Sequence, residues 1–549
     1  MRTQWIASML WIAACVGIEH PVAREALHQG PSCLVTTVGG DVQGTDNGAS
    51  CTFLGVPFAA PPIGALRWTP PQPVPPWSPS VLPATTPPPS CPTLFTGSPS
   101  GSEDCLKLNL WVSDPPPTQP APVIVWLHTG GFSAASANFA SHNGRRLAET
   151  QGVIVVAPNY RHGPFGFLAH AALANEDPAH ASTGNYGLLD QRAALEWVRD
   201  NIAHFGGDPW NVTIAGTSAG GQSVGLQLVS PGSAPYFHRA IVQSAFPTLR
   251  MPTRSEAEAQ GQEFAARLGC TDPSTVLPCL RLKTRNDVLI AGNQAMEQVV
   301  EQPNRVNWRP IVDGLVIPDQ PRTLLERHAF NHVPLIVGSN RDEGWGNYIT
   351  RSFPMGVSDT QYEAWVSAEF GDDAADVLAA YPSGAYSSPM EAMARVVGEG
   401  QFTCEARRLA RLVQGTGKPV FLYSYEYEID DLSVDHVIHG VESNIIFGNN
   451  YIPPQYANHP LTPSDDALFA AMSEYWATFA ASGNPNREPS HLVRWPAFTR
   501  PNEFGAGPDL SLIFDATIRG AQRPREANCD FWEPRFLRPM TLDVPASTP

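Results

Sequence analysis

The chain has 549 residues, a formal net charge of −17 and a pI of about 5.3. It contains no long basic run, so nucleic acid is excluded as a partner, and the acidity is better explained by solubility. The length alone would allow roughly two to four domains, although one large α/β domain can also be this long.

The N-terminus predicts a secretory signal peptide over residues 1–26. MRTQW supplies one positive side chain, and IASMLWIAACVGI is an apolar run too short to span a bilayer. Residues 27–549 would then form the mature protein, secreted or periplasmic. The alternative is a lipid anchor on Cys15, because Ile12-Ala13-Ala14-Cys15 resembles a bacterial lipobox. No later run is long enough for a membrane span.

The cysteine count predicts disulfides. The chain has nine cysteines, and eight remain when Cys15 leaves with the signal peptide. An even number in an exported chain favours disulfide bonds, although the count alone leaves the pairing open. No Cys-x-x-Cys or His-x-x-x-His spacing indicates a metal site.

The order of apolar segments predicts the α/β class. Residues 27–120 are rich in Pro and Gly, which predicts an irregular edge with short antiparallel strands. From 108 to 350, strand-like and helix-like segments alternate, which indicates a central, mostly parallel sheet flanked by helices. The strand-like segments are LNLWV, VIVWLH, VIVVAPNY, VTIAG and PLIVGSN, and the amphipathic helix LLDQRAALEWVRDNIAHF precedes VTIAG. Residues 360–415 are mainly helical, VFLYSYEY is a further strand, and a last helix should end at Gly483.

Two glycine-rich turns follow predicted strands. GTSAGG places Ser218 between a strand and a helix, which is typical of a nucleophile held on a strained turn. HTGGF places Gly130 and Gly131 directly after VIVWLH, where their N–H groups could bind an oxyanion. On its own, each turn could also be purely structural. A nucleophile also needs a base, an acid and an oxyanion hole.

Several long motifs, in one order, resemble the type-B carboxylesterase family of α/β hydrolases, which includes cholinesterases and carboxylesterases. The resemblance runs from about residue 35 to 535, and it implies an α/β-hydrolase fold with helical insertions and a single catalytic domain over residues 27–549. It is carried by FLGVPFAAPPIGALRW, SEDCLKLNLW, NYRHGPFGFL, GNYGLLDQRAALEWVRDNIAHFGGDP, GTSAGGQSV, SNRDEG, HGVESNIIFG and YWATFAASGNPN.

The resemblance implies a Ser-His-Glu triad that requires no metal or cofactor. Ser218 matches the nucleophile, Glu343 in SNRDEG the acid, and His439 in HGVESNIIFG the base. Asp342 and His436 are the neighbouring alternatives, but neither has the motif position next to Gly.

The same resemblance implies an oxyanion hole built from the N–H groups of Gly130, Gly131 and Ala219, in which Thr129 stands where the family usually has Gly. Phe132, which follows the oxyanion glycines, is expected to line the substrate pocket.

The resemblance also supplies a disulfide pattern. It implies Cys91–Cys105, Cys270–Cys279 and Cys404–Cys529. Cys33 and Cys51 remain, and parity alone suggests that they form a fourth pair.

Two departures from the family bear on the substrate. Thr217 stands where many members have Glu, and the loop between Cys91 and Cys105 contains no tryptophan. A choline group needs an aromatic face for cation–π attraction. Trp345 or Phe402 could replace that face, but the sequence does not place them. These departures disfavour acetylcholine and favour uncharged esters.

The sequence therefore predicts a secreted serine carboxylic-ester hydrolase that acts on small uncharged esters through an acyl-enzyme. One alternative is a lipase-like enzyme for longer-chain lipid esters, with the loop between Cys91 and Cys105 as a lid. The other is a non-catalytic adhesion or binding protein, although such family members lose part of the triad that is complete here. The sequence indicates no oligomeric state.

Overall fold

The computed structural model describes residues 33–540 except for 95–96, 117, 177–182, 298–307, 347–348, 350–352, 354–355, 430–435, 450–460, 500–508, 523–524 and 536–539. The predicted signal peptide and Cys15 lie outside the described residues. Within the described ranges, no helix combines the length and the apolar character needed to cross a membrane.

Fourteen strands are found among the described residues. In chain order they are β1 Leu34–Thr37, β2 Gly40–Gln43, β3 Thr45–Asp46, β4 Ser50–Pro57, β5 Val81–Pro83, β6 Lys107–Ser113, β7 Ala121–Leu127, β8 Ile154–Pro158, β9 Gly207–Thr217, β10 Arg239–Gln243, β11 Leu335–Asn340, β12 Val420–Tyr425, β13 Leu510–Phe514 and β14 Arg519–Gln522.

The α-helices flank these strands. In chain order they are α1 Arg145–Gln151, α2 Gly163–Phe167, α3 Ala171–Glu176, α4 Tyr186–Asn201, α5 Ala219–Val229, α6 Arg254–Arg267, α7 Val276–Leu282, α8 Arg285–Glu297, α9 Pro321–Glu326, α10 Asp359–Phe370, α11 Ala374–Ala380, α12 Pro389–Gly398, α13 Cys404–Val413, α14 Glu442–Phe447, α15 Pro463–Ser482 and α16 Glu526–Trp532.

Eleven of the described strands form the central sheet, in the order β14-β13-β12-β11-β10-β9-β7-β8-β6-β4-β3. The seven strands from β13 to β8 are parallel, and the strands beyond them at both edges pair antiparallel. This is the α/β-hydrolase arrangement that the sequence predicted. In such sheets the loops at the carboxyl ends of the strands form the ligand crevice.

Alternation along the buried strands divides the core between the two faces of the sheet. In β7, Val123, Val125 and Leu127 pack in one core cluster, whereas Ile124 and Trp126 pack in another on the opposite face. Successive side chains point to opposite faces of a strand, so a strand covered on both sides reads as a continuous apolar run.

The N-terminal region forms the predicted irregular edge. A separate sheet of β1, β2 and β5 lies there, and β4 pairs antiparallel with β6. The Cys33–Cys51 disulfide ties this edge together, so the pairing suggested by parity is confirmed.

The other three predicted pairs are also present. They are Cys91–Cys105, Cys270–Cys279 and Cys404–Cys529.

The helix predictions are confirmed with small shifts. The α4 helix ends at Asn201 and continues as a 3-10 turn to Phe205, after which Gly206 adopts a left-handed conformation. The α15 helix ends at Gly483, whose φ is 80°. Strand β10 was missed, because RAIVQ contains too short an apolar run to stand out.

Candidate active site

Ser218 occupies the turn between β9 and α5. Its φ of 57° and ψ of −123° are strained for a residue with a side chain, as expected for a nucleophile turn. The neighbouring glycines make the turn possible: a Cβ on Gly220 would collide with the carbonyl oxygen of Leu127, and one on Gly221 with that of Gln243. The close passage of α5 over the sheet therefore requires glycine.

Glu343 and His439 come together at the carboxyl ends of β11 and β12. The Nδ1 of His439 lies 2.5 Å from Oε2 of Glu343, and the backbone N–H of Asn340 donates to Oε1 at 2.7 Å. Burial by itself would lower the pKa of His439, but the charge and the hydrogen bond of Glu343 outweigh it and raise the pKa above 6.5.

The two neighbouring alternatives have other partners. A carboxylate oxygen of Asp342 accepts the backbone N–H of Val437 at 3.0 Å, and the other lies 3.0 Å from the guanidinium of Arg395. His436 packs on Trp345, with ring centroids 4.1 Å apart. Asp342 therefore holds the backbone of the histidine loop, whereas Glu343 contacts the imidazole of His439.

A π-helical turn over Glu399–Thr403, between α12 and α13, connects His439 to the surroundings of Ser218. In this turn, Phe402 packs on the ring of His439 at 4.9 Å and on Phe246 at 5.4 Å. Gln401 and Phe246 line the same cavity as Ser218. Single π turns are common at functional sites, and this one was not predicted.

Glu442 forms a second connection, which sequence reasoning also missed. Its carboxylate accepts hydrogen bonds from Thr217 Oγ1 at 3.0 Å, Ser244 Oγ at 3.2 Å and Asn340 Nδ2 at 2.6 Å. Burial and the charge of Glu343 raise its pKa. The network joins the residue before Ser218 to the start of α14, three residues after His439. The only signal for it was the Glu in HGVESNIIFG.

The predicted oxyanion glycines follow β7. Gly130 has a φ of 114° and Gly131 a φ of 59°, and a Cβ on Gly130 would collide with the carbonyl oxygen of Ala134. Within the described part of the chain, the N–H groups of Gly130, Gly131 and Ala219 donate no hydrogen bond to the protein. Three backbone donors near the serine turn thus remain available for a ligand.

Hydrogen bonds and ring packing hold the segment that is predicted to form the oxyanion hole. The hydroxyl of Tyr160 donates to the carbonyl oxygen of His128 at 2.7 Å, and the N–H of Gly163 donates to that of Phe132 at 2.6 Å. The ring of His128 stacks on Tyr160 with centroids 4.1 Å apart. These contacts fix the loop before any substrate arrives, which is the property that an oxyanion hole requires.

Ser218, Ala219, Gly131 and Phe132 line one cavity of about 190 Å³. Phe132, which the sequence predicted in the substrate pocket, lines this cavity together with Ser218. The described residues that line this cavity do not include Gly130, Glu343 or His439.

The sheet, the serine turn and the Glu343–His439 pair define an α/β hydrolase. Residues 31–532 match the sequence profile described as the Carboxylesterase family. The chain is also 33% identical to acetylcholinesterase of Electrophorus electricus, in an alignment that covers 94% of this chain and 89% of the relative. The protein belongs to the carboxylesterase family and is a carboxylic-ester hydrolase.

Proposed function

We propose that the protein hydrolyses uncharged carboxylic esters through an acyl-enzyme on Ser218, with His439 as the general base and Glu343 as its carboxylate partner. The contact of 2.5 Å between His439 Nδ1 and Glu343 Oε2 is the observation that carries this proposal. It fixes the tautomer that leaves Nε2 as the proton acceptor.

In the acylation step, Ser218 Oγ bonds to the ester carbonyl carbon, and its proton passes to Nε2 of His439. The carbonyl oxygen becomes an oxyanion, which the N–H groups of Gly130, Gly131 and Ala219 stabilise. The bond between this carbon and the alkoxy oxygen then breaks, and His439 returns the proton to the departing alcohol.

Deacylation repeats these steps with water as the nucleophile. His439 takes one proton from the water as its oxygen attacks the acyl carbon, and the bond to Ser218 Oγ breaks as that proton returns to the serine. The carboxylic acid leaves, and Ser218 is restored.

The substrate assignment depends on the groups around Ser218. The relative named acetylcholinesterase suggests a choline ester, but Thr217 supplies a hydroxyl where many family members have a carboxylate. The two aromatic candidates for a choline contact are already engaged, Trp345 with His436 and Phe402 with His439. These features support esters that lack a cationic group.

The size of the cavity supports a compact acyl group. Its volume of about 190 Å³ is below the range of about 300–1,000 Å³ for drug-sized ligands. This small volume favours an esterase for short acyl chains over a lipase for long acyl chains.

We also propose that the protein is exported, with a lipid anchor on Cys15 as the alternative route. The four disulfides support an oxidising compartment, because such bonds rarely persist in the cytosol.

The test is hydrolysis of p-nitrophenyl esters from acetate to palmitate by the wild type, Ser218→Ala and Ser482→Ala. Ser482 is an exposed serine at the end of α15 and serves as the matched control. We expect Ser218→Ala to lower kcat by about 10⁴- to 10⁶-fold, the control to match the wild type, and the short chains to react fastest.

Two outcomes would contradict the proposal. Equal activity of Ser218→Ala and the wild type would remove Ser218 as the nucleophile. A rate that rises sharply when palmitate esters form aggregates would favour the lipase alternative.

A further inference from the structure

Two arginines, Arg250 and Arg309, line the cavity beside Ser218. The described residues around this cavity include no Asp, Glu, Lys or His, so its charged groups are both cationic. Two carboxylates near Ser218 do not line this cavity: Glu343 contacts His439, and Glu442 accepts hydrogen bonds from Thr217, Gln243, Ser244 and Asn340.

Arg250 stands on a fixed stretch of backbone. Its neighbours Leu249 and Met251 are buried and line the same cavity. The side chain of Gln320 binds Met251 on both sides, since its oxygen accepts the Met251 N–H at 2.8 Å and its amide donates to the Met251 carbonyl at 2.9 Å. The position of Arg250 is therefore set by the core.

One ion pair orients the guanidinium of Arg250 and leaves most of its N–H donors without a described hydrogen bond. Its Nη2 lies 2.7 Å from Oε1 of Glu256, while Oε2 of Glu256 accepts the N–H of Thr253 in a capping box at the start of α6. Among the described contacts, this is the only hydrogen bond that the guanidinium makes. An arginine has five N–H donors, so most remain available for a ligand.

Arg309 also stands on a buried stretch of backbone. It lies between Trp308 and Pro310, both buried. The indole of Trp308 donates to the carbonyl of Gly292 at 3.1 Å and packs on Phe264 at 5.3 Å. Two guanidinium-bearing positions are thus part of the wall of one cavity.

We infer that this cavity selects esters that carry a carboxylate on the acyl or the alcohol portion, with Arg250 and Arg309 as the groups that bind it. Guanidinium is the side-chain group best suited to a carboxylate, because its donors match both oxygens. The chain as a whole is acidic, with a net charge of −17, but that field is screened beyond about 8–10 Å. At contact distance a carboxylate would meet the guanidinium groups that line the cavity, of which Arg250 already carries one ion pair to Glu256.

This inference rests on the proposed function and extends it, since uncharged esters remain substrates and anionic ones become the preferred class. The first experiment compares kcat/KM for monoethyl adipate, diethyl adipate and ethyl 6-aminohexanoate, followed by release of ethanol. A second pair, 4-acetoxybutanoate and butyl acetate, places the carboxylate on the alcohol side. We expect the anionic ester to exceed the neutral one about tenfold in at least one pair, and the cationic ester to be the poorest.

The variants Arg250→Gln and Arg309→Gln should each lower the ratio of anionic to neutral kcat/KM, and the double variant should bring it close to one. Arg250→Lys and Arg309→Lys keep the charge and should restore part of the ratio. The control is Arg145→Gln, which removes the same charge from an exposed helix position and should change neither rate. For the wild type, added NaCl should lower the rate on the anionic ester more than on the neutral one.

The failures of the two proposals can be told apart. If the wild type hydrolyses neutral esters and shows no preference for the anionic one in either pair, ester hydrolysis stands and the arginine inference is overturned. The same holds if the preference persists in the double variant. If no ester is hydrolysed by folded protein, both proposals fail.

Discussion

His439 and His128 are histidines in two different regions of the molecule, and their environments shift the imidazole pKa in opposite directions. His439 is 9% exposed and lies beside a carboxylate, which raises its pKa above 6.5. His128, behind the oxyanion segment, is buried without a carboxylate partner among its described contacts, and its pKa is lowered to about 3. Burial disfavours the imidazolium in both regions, so the partner decides the outcome.

His142 and His162 resemble His128. Burial lowers the pKa of His142 to about 3 and that of His162 to about 4. Burial keeps these three rings neutral, whereas the contact with Glu343 favours the protonated form of His439.

The largest expected effect comes from removing the charge of the Glu343 carboxylate, which distinguishes His439 from His128. Glu343→Gln keeps the shape of the side chain but cannot stabilise the imidazolium that forms during catalysis. We expect kcat to fall about 10⁴-fold, as for the equivalent change in other triads. The measurement is the steady-state rate on an ester that the wild type cleaves.

The matched control is Asp342→Asn. Asp342 is the adjacent carboxylate, and it binds the N–H of Val437 instead of the imidazole. We expect a fall of about tenfold or less, from looser positioning of the histidine loop. Equal losses in both variants would show that Asp342 shares the role assigned to Glu343.

A weaker perturbation is the pH of the assay. The base must be neutral to accept the serine proton, so kcat/KM should rise with pH as His439 loses its own proton. Because the pKa of His439 is raised, the midpoint of this rise should lie above 6.5. A midpoint at or below 6.5, on an ester that does not itself titrate, would contradict the assigned pairing.

The buried histidines should affect stability instead of rate. Below pH 6.5 an unfolded chain binds protons at these residues, while the folded chain does not until the pH falls to about 3 for His142. The unfolded state is therefore favoured as the pH falls from 6.5, and each such histidine removes about 1.4 kcal/mol of unfolding free energy per pH unit.

His142→Phe sharpens this contrast. The ring packs between Trp126 and Phe139, with centroids 5.3 Å and 5.4 Å away, so phenylalanine can take its place. Urea unfolding at about pH 5 and 7 should show a smaller loss of stability on acidification than in the wild type, by about 1–2 kcal/mol. An unchanged loss would mean that His142 is accessible to protons in the folded state.

Sequence reasoning located the parts of the site that a local pattern encodes. The turn at Ser218 needs small neighbours on both sides, and the turn at Gly130 needs a positive φ, so both leave a signature in a few consecutive residues. Glu343 and His439, the proposed acid and base, were placed by motif resemblance, and the structure brings the two side chains into contact.

The parts that were missed depend on contacts between distant segments. Glu442 joins β9, β11 and the residue after β10 through side chains that are far apart in the chain. The π turn that positions Gln401 and Phe402 has no local sequence marker, and Arg250 and Arg309 meet at one cavity only after α5, α6 and α8 have packed. Unlike turn geometry, tertiary packing is not encoded by short sequence patterns.

The Cys404–Cys529 disulfide has a consequence for handling the protein. It closes a covalent ring that contains β12, His439 and α15. The stretch after α15 is exposed at Arg487 and Glu488, which is where proteases tend to cut. A chain nicked there would keep its two pieces joined and migrate as one species on a non-reducing gel. Only a reducing gel would reveal the cut.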